Sequence, residues 1–247
     1  MKKISLLRGL LVCLCVLCGT TVFAQQNLFN IPSANITPTN KVFYQHQLNV
    51  YNLRDYASKH HFVYGLPKNW EVGLNVVNIN IKPSTLQSWF PINDSERKEP
   101  FAPIAMLTAQ KQIQLSKHLQ LNIGTQIGTN LLIEGYGYRR LTTFSYALAA
   151  YRTNKHWSFV AGPYVTDETF MGKGNNAGVL VGFEIPLNKR WLLMGDFVSG
   201  NTKNSVSVLG FTYNVNKHFQ LCLGGLVPNP NSKENYGVVF EINLFNF

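Results

Sequence analysis

Residues 66–74 read LPKNWEVGL, and the stretch returns four times in altered form: LSKHLQLNIG from 115, TNKHWSFVAG from 153, LNKRWLLMG from 187 and VNKHFQLCLGG from 215. Each copy has a polar break containing a lysine, then an aromatic residue or a leucine, then an alternating run toward glycine. Alternation at period 2 marks a β-strand whose two faces meet different surroundings. Polar breaks set regularly between such runs join them as hairpins. The repeat thus implies an all-β chain.

The run 119–128, LQLNIGTQIG, puts Leu119, Leu121, Ile123 and Ile127 on one face and Gln120, Asn122 and Gln126 on the other. One face is apolar and the other is polar without charge. The same division holds in 176–187, where Val179, Val181, Phe183 and Ile185 oppose Glu184 and glycines, and in 191–198, where Asp196 opposes Trp191, Leu193 and Phe197. Twelve such runs are expected, near 42–51, 59–66, 70–81, 101–114, 119–129, 140–151, 157–166, 176–187, 191–199, 205–215, 219–227 and 238–247.

Residues 1–24 fall outside this pattern. Lys2, Lys3 and Arg8 precede an apolar run, and small residues end at Ala24, which predicts a secretory signal peptide cleaved there. A lipoprotein site at Cys18 would want a small residue before it, and Leu17 stands there. Cleavage leaves Cys222 as the one cysteine, so no intramolecular disulfide can hold the exported chain. It also removes three of the 22 Lys+Arg and none of the 12 Asp+Glu, so the formal charge becomes 22 − 3 − 12 = +7. Export and the scatter of these charges argue against nucleic acid as a partner.

No stretch beyond the signal reaches the roughly 18 to 20 apolar residues of a spanning helix. Strands of 9 to 11 residues, short turns at one end and longer, more varied loops at the other instead predict a single antiparallel up-and-down transmembrane β-barrel of about 12 strands over 42–247. The lysine turns would be periplasmic, and 25–41 would remain there as an N-terminal segment. A residue just after each turn would sit where hydrocarbon meets headgroups, which suits an aromatic girdle of Trp70, Trp157, Trp191 and Phe219. The turn lysines would lie at the level of anionic lipid. A secreted β-sandwich also alternates, but has no reason to place an aromatic after every second turn.

The chain closes FEINLFNF, with Phe247 ending the last strand. This resembles the C-terminal assembly signal of Gram-negative outer-membrane β-barrel proteins, and the resemblance, signal peptide included, covers the whole chain. It implies insertion by the outer-membrane assembly machinery through the C-terminal strand and Phe247 as part of the girdle. One departure stands out. Alternate residues back from the terminal Phe are usually apolar in that class, whereas Phe247 and Phe245 are followed here by Asn243 and Glu241, and the opposite phase (Leu244, Ile242, Phe240, Val238) is apolar. Either a bulge switches the phase or the last strand faces something other than lipid.

The inward phase gives a pore-lining set of Gln45, Gln47, Asn49, Glu71, Asn75, Gln120, Asn122, Gln126, Ser145, Glu184, Asp196, Thr212 and Gln220. Neutral amides with a few carboxylates suit a narrow porin-like channel for small polar solutes, with cations favoured. Alternatively these groups hydrogen-bond one another and fill the interior, since twelve strands lie between barrels that pack solid and those that stay open. A second reading is a non-conducting accessory subunit of an envelope complex, docked through the loop 82–100 with its Trp89, Phe90 and Pro91.

A third reading, by resemblance to twelve-stranded outer-membrane lipid hydrolases, needs a serine and a histidine base within reach. His156 with Ser158, and Ser116 with His118, lie at the turn end, away from outer-leaflet lipid and without an orienting acid, so no catalytic residue and no enzyme activity are expected. His118, His156 and His218 sit on separate turns and cannot share an ion, while His60 and His61 point to opposite faces. No metal or cofactor is expected. Tyr136, Tyr138, Arg139 and Arg140 of GYGYRR read as outer girdle.

Overall fold

The computed structural model describes residues 27–52, 55–83, 89–93, 99–131, 139–232 and 234–245. The signal peptide, Tyr136, Tyr138 and Phe247 lie outside them. Twelve strands follow in order: β1 (Val42–Asn52), β2 (Asp55–Leu66), β3 (Trp70–Ile81), β4 (Ile104–Gln114), β5 (Leu119–Asn130), β6 (Leu141–Arg152), β7 (Ser158–Thr166), β8 (Ala177–Pro186), β9 (Trp191–Val198), β10 (Val206–Asn216), β11 (Phe219–Pro228) and β12 (Gly237–Phe245). One short helix, α1 (Glu168–Met171), stands between β7 and β8. Each strand pairs antiparallel with its sequence neighbours, and β1 pairs with β12, from Phe43 opposite Phe245 to Val50 opposite Val238, closing the barrel. Closure leaves no unpaired strand edge.

Three of the five lysine turns owe their shape to the residue before the lysine, and in the turn from 153 Thr153 Oγ1 accepts from the Trp157 N–H at 3.1 Å. Asn188 Oδ1 accepts from the N–H groups of Arg190 and Trp191, and Ser116 Oγ accepts from those of His118 and Leu119. Asn216 Oδ1 accepts from the His218 N–H at 2.7 Å. A side-chain oxygen that satisfies backbone donors two and three residues on substitutes for a turn hydrogen bond. In the first turn the tight reversal instead uses left-handed backbone at Lys68 and Asn69, with φ of 60° and 57°. Two turn histidines stitch one hairpin to the next: His118 Nδ1 meets the Arg152 carbonyl at 2.8 Å, and His218 Nδ1 meets that of Phe245 at 2.9 Å.

The outer face is an apolar surface in which Leu74, Leu107, Ile123, Val181, Phe211 and Leu223 are exposed. Trp70, Trp157 and Trp191 are exposed at the turn end, and Phe219 is half-buried there. Lys111 and Lys155 lie over the rings of Trp70 and Trp157. Among the described residues no helix is long and apolar enough to cross a membrane. The apolar surface is interrupted on β1 and β2, where Tyr44 Oη lies 2.8 Å from His60 Nδ1 and His46 Nδ1 lies 3.3 Å from it.

The last strand resolves its ambiguous phase without a bulge. Val238, Phe240 and Ile242 face outward, while Val239, Glu241, Asn243 and Phe245 are buried inside, with the Phe245 ring 5.1 Å from that of Phe43. Ser145 corrects the sequence reading in a different way. It faces outward and shares a 2.8 Å hydrogen bond with Thr125, because the inward phase of β6 is Thr142, Phe144, Tyr146, Leu148 and Ala150. Those mostly apolar positions face an apolar filling that the polar-inside assumption did not allow for.

Candidate functional site: an occupied lumen

That filling is the chain's own N-terminal segment. Residues 27–37, expected to stay outside the barrel, run through its interior. Leu28, Phe29 and Ile31 are each 1% exposed and join a core with Met106, Leu148, Leu180 and Met194 of the wall. A tight reversal shapes the segment: Asn27 bridges Pro32, and the Leu28 N–H donates to the Ile31 carbonyl at 2.9 Å. Wall glycines make room for it. A Cβ added at Gly182 would lie 2.2 Å from Leu28 Cδ1, one at Gly224 would lie 2.9 Å from the Phe29 ring, and one at Gly65 would lie 2.1 Å from the Pro38 carbonyl oxygen. A twelve-stranded lumen is wide enough to take a peptide only where the wall lacks side chains.

Polar contacts from seven strands hold this plug. On β1, Gln45 Oε1 accepts from Asn27 Nδ2 at 3.0 Å; on β2, Lys59 Nζ donates to the Phe29 carbonyl and to Asn30 Oδ1, both at 3.0 Å. The Glu71 carboxylate of β3 accepts from the Thr37 N–H and hydroxyl at 2.8 and 2.9 Å. Gln112 of β4 and Asn122 of β5 donate to the carbonyls of Ala34 and Ser33 at 2.7 and 2.9 Å. Arg152 of β6 donates to Asn35 Oδ1, and Asp196 of β9 accepts from both the backbone and the side-chain amide of Asn30. Lys59 also lies within electrostatic reach of Asp196 and Glu241. Buried ions are tolerated when paired and hydrogen-bonded, and here the plug, which has no charged side chain, supplies much of the hydrogen bonding.

The residues assigned to a pore lining therefore divide. Gln45, Glu71, Asn122 and Asp196 grip the plug directly. Gln47 donates to Asn49 Oδ1 at 2.7 Å and is 3.5 Å from Asn30 Oδ1. Asn75 Nδ2 donates to Gln126 Oε1 at 2.8 Å, Gln112 Nε2 donates to Gln120 Oε1 at 3.2 Å, and Gln220 donates to Asn214. Glu184 is buried beside Ser158 across the β7–β8 pair, and Thr212 is buried beside Cys222. Sequence reasoning missed Lys59, Gln112 and Arg152, and missed the plug itself. Its signal was available: three large apolar residues in NLFNI, with no strand to bury them, had to be covered by something.

The loop end carries a cap. Asp167 caps α1 by accepting from the Thr169 and Phe170 N–H groups at 2.9 and 3.3 Å, and it also accepts from the Thr142 hydroxyl and Thr143 N–H at 2.8 and 2.7 Å. This aims the Phe170 ring at Phe144, 5.3 Å away, and buries Met171. Phe101, at the end of the loop 82–100, is buried in the mouth and its N–H donates to the Thr169 carbonyl at 2.8 Å. In the same loop Trp89 and Phe90 are exposed. Asn204 Nδ2 donates to the Phe170 carbonyl at 2.8 Å, and Lys203 pairs with Glu99 at 3.4 Å. Between plug and cap remains a chamber of about 160 Å³.

No protein-family model matches this sequence, and none of the curated proteins compared with it shows significant similarity.

Proposed function

We propose that the protein is an outer-membrane β-barrel of a Gram-negative bacterium that admits small polar solutes, and that residues 27–37 close its passage at rest. The apolar outer face and the tryptophans at its turn end support the membrane placement. A soluble monomer rarely leaves so continuous an apolar surface bare, whereas lipid requires one. The observation that carries the transport reading is how the plug is held. Its polar attachments are one or two hydrogen bonds each to amides, one lysine, one arginine and two carboxylates, and groups of that kind can line a water-filled lumen once the segment moves.

The test is conductance in a planar bilayer, comparing the mature full chain with a chain lacking residues 27–37. The full chain should open rarely, and the deletion should conduct steadily with cation preference, reduced in the deletion background by Glu184→Gln. A deletion chain that is folded, as judged by heat-modifiable gel mobility, yet silent would sink the transport reading. It would leave the second one, an accessory subunit that docks a partner through the exposed Trp89 and Phe90.

A further inference from the structure

The chamber between plug and cap has two unlike walls. On the side of β1 to β5 stand Asn49, His61, Asn75 and Gln126, with His61 Nδ1 bonded to Asn75 Oδ1 and Asn75 Nδ2 donating to Gln126 Oε1 at 2.8 Å. The chain of bonds fixes the amides in place, so this wall offers a set hydrogen-bonding edge. Adjoining it, with Phe144 directly beside Gln126 across the β5–β6 pair, stand Phe144, Phe170, Val206 and Leu226, an apolar wall with its two rings 5.3 Å apart.

The formal charges that border the space are already engaged. Lys59 donates to the Phe29 carbonyl and Asn30 and has Asp196 and Glu241 within electrostatic reach, Lys203 pairs with Glu99, and the Glu71 carboxylate accepts from Thr37. A charged guest of either sign would be desolvated beside a like charge, Glu71 for an anion and Lys59 for a cation, while both lysines already have carboxylates near them, which disfavours it. At about 160 Å³ the chamber matches the size of cavities, near 150 Å³, that accept benzene.

From this we infer that the chamber is a binding site for an uncharged monocyclic solute with one hydrogen-bonding edge, of the phenol type. The ring lies against Phe144 and Phe170, and the polar edge meets the Asn75–Gln126 wall. The inference deepens the transport reading by naming the class of solute that the passage would hold. It rests on that reading for its role in the cell only, since binding is measured on folded protein in detergent and a silent bilayer would not touch it.

Calorimetric titration of the mature full chain with phenol, toluene and benzoate is the test. Phenol should bind with a dissociation constant of about 1 mM, as suits so small a ligand. Toluene should bind about tenfold more weakly for want of the polar edge, and benzoate should give no saturable heat. Val206→Phe, which fills the chamber, should abolish phenol binding in the same micelles, so that partitioning into detergent cancels. Gln126→Leu should weaken phenol about tenfold and leave toluene unchanged. Benzoate binding as tightly as phenol, phenol binding unaltered in a folded Val206→Phe variant, or no saturable phenol heat at all would each overturn the assignment.

Discussion

Lys59 on β2 and Asp196 on β9 stand on nearly opposite walls of the barrel and are joined through one residue of the plug, Asn30, which accepts from the lysine and donates to the carboxylate. Neither ion is satisfied without that bridge in the same degree. Asp196→Ala should therefore leave the lysine more poorly compensated in a dry interior and cost about 3 kcal/mol of stability. Adding Lys59→Met to it should recover part of the loss, so that the double variant is more stable than the single one. Urea titration in lipid vesicles checks both, and a double variant that loses the full sum of the two single effects would refute the strut.

The wall glycines make a steric prediction. Gly182→Leu places side-chain atoms where Leu28 now lies, with the first of them only 2.2 Å from Leu28 Cδ1. Backbone on both sides of β8 is fixed by its neighbours, so the plug is the part that must yield. With the buried Ser33→Cys as a reporter and Cys222→Ser removing the native thiol, maleimide should label the Gly182→Leu chain at least tenfold faster than the glycine chain, as expected if about 1.4 kcal/mol or more of overpacking shifts the plug equilibrium. Equal labelling would mean that the segment accommodates the side chain in place.

The outer face offers a third test at Tyr44, His46 and His60. These side chains bond one another on a surface that is otherwise apolar, between Ile242 of β12 and Val76 of β3. Polar groups facing hydrocarbon are costly even when mutually bonded. Replacing both histidines by leucine should raise stability in vesicles by about 1–2 kcal/mol. A loss of stability, accompanied by a change from a larger to a smaller species in detergent, would show instead that the patch is covered by another protein chain.

The strand pattern was readable because each element announces itself locally. Period-2 alternation and polar breaks gave twelve runs whose ends differ from the observed strands by a few residues, the largest difference being the start of β2 at Asp55 rather than 59. Phase was readable where one face meets solvent-like or lipid-like surroundings, as in β5. It failed at Ser145, because there the inward face packs against aromatic and apolar groups that come from elsewhere in the chain. The plug was illegible for the same reason. Nothing in NLFNIPSAN specifies a strand or helix, and its place is set by glycines and polar groups scattered over the wall from Gln45 to Gly224. Such long-range complementarity leaves no periodic trace. What the alternation did give was the inward phase of amides and carboxylates such as Gln45, Glu71, Asn122 and Asp196, which by themselves read as a pore lining or as groups bonding one another, without the segment that they hold.

The plug precedes β1 in the chain, and β1 forms the seam with β12, where Gln47 lies opposite Glu241. A segment tethered to the first strand can be laid in the trough of a still-open sheet, whereas threading it later would mean pulling Leu28 and Phe29 past a closed rim. Until it is laid there, Lys59, Glu71 and Asp196 have no full complement of bonds and resist being sealed from water. The N-terminal segment is in this sense a mandrel: it offers the sheet a surface to curl around before β1 meets β12, whereas a chain without it closes its seam around water that must solvate those ions instead.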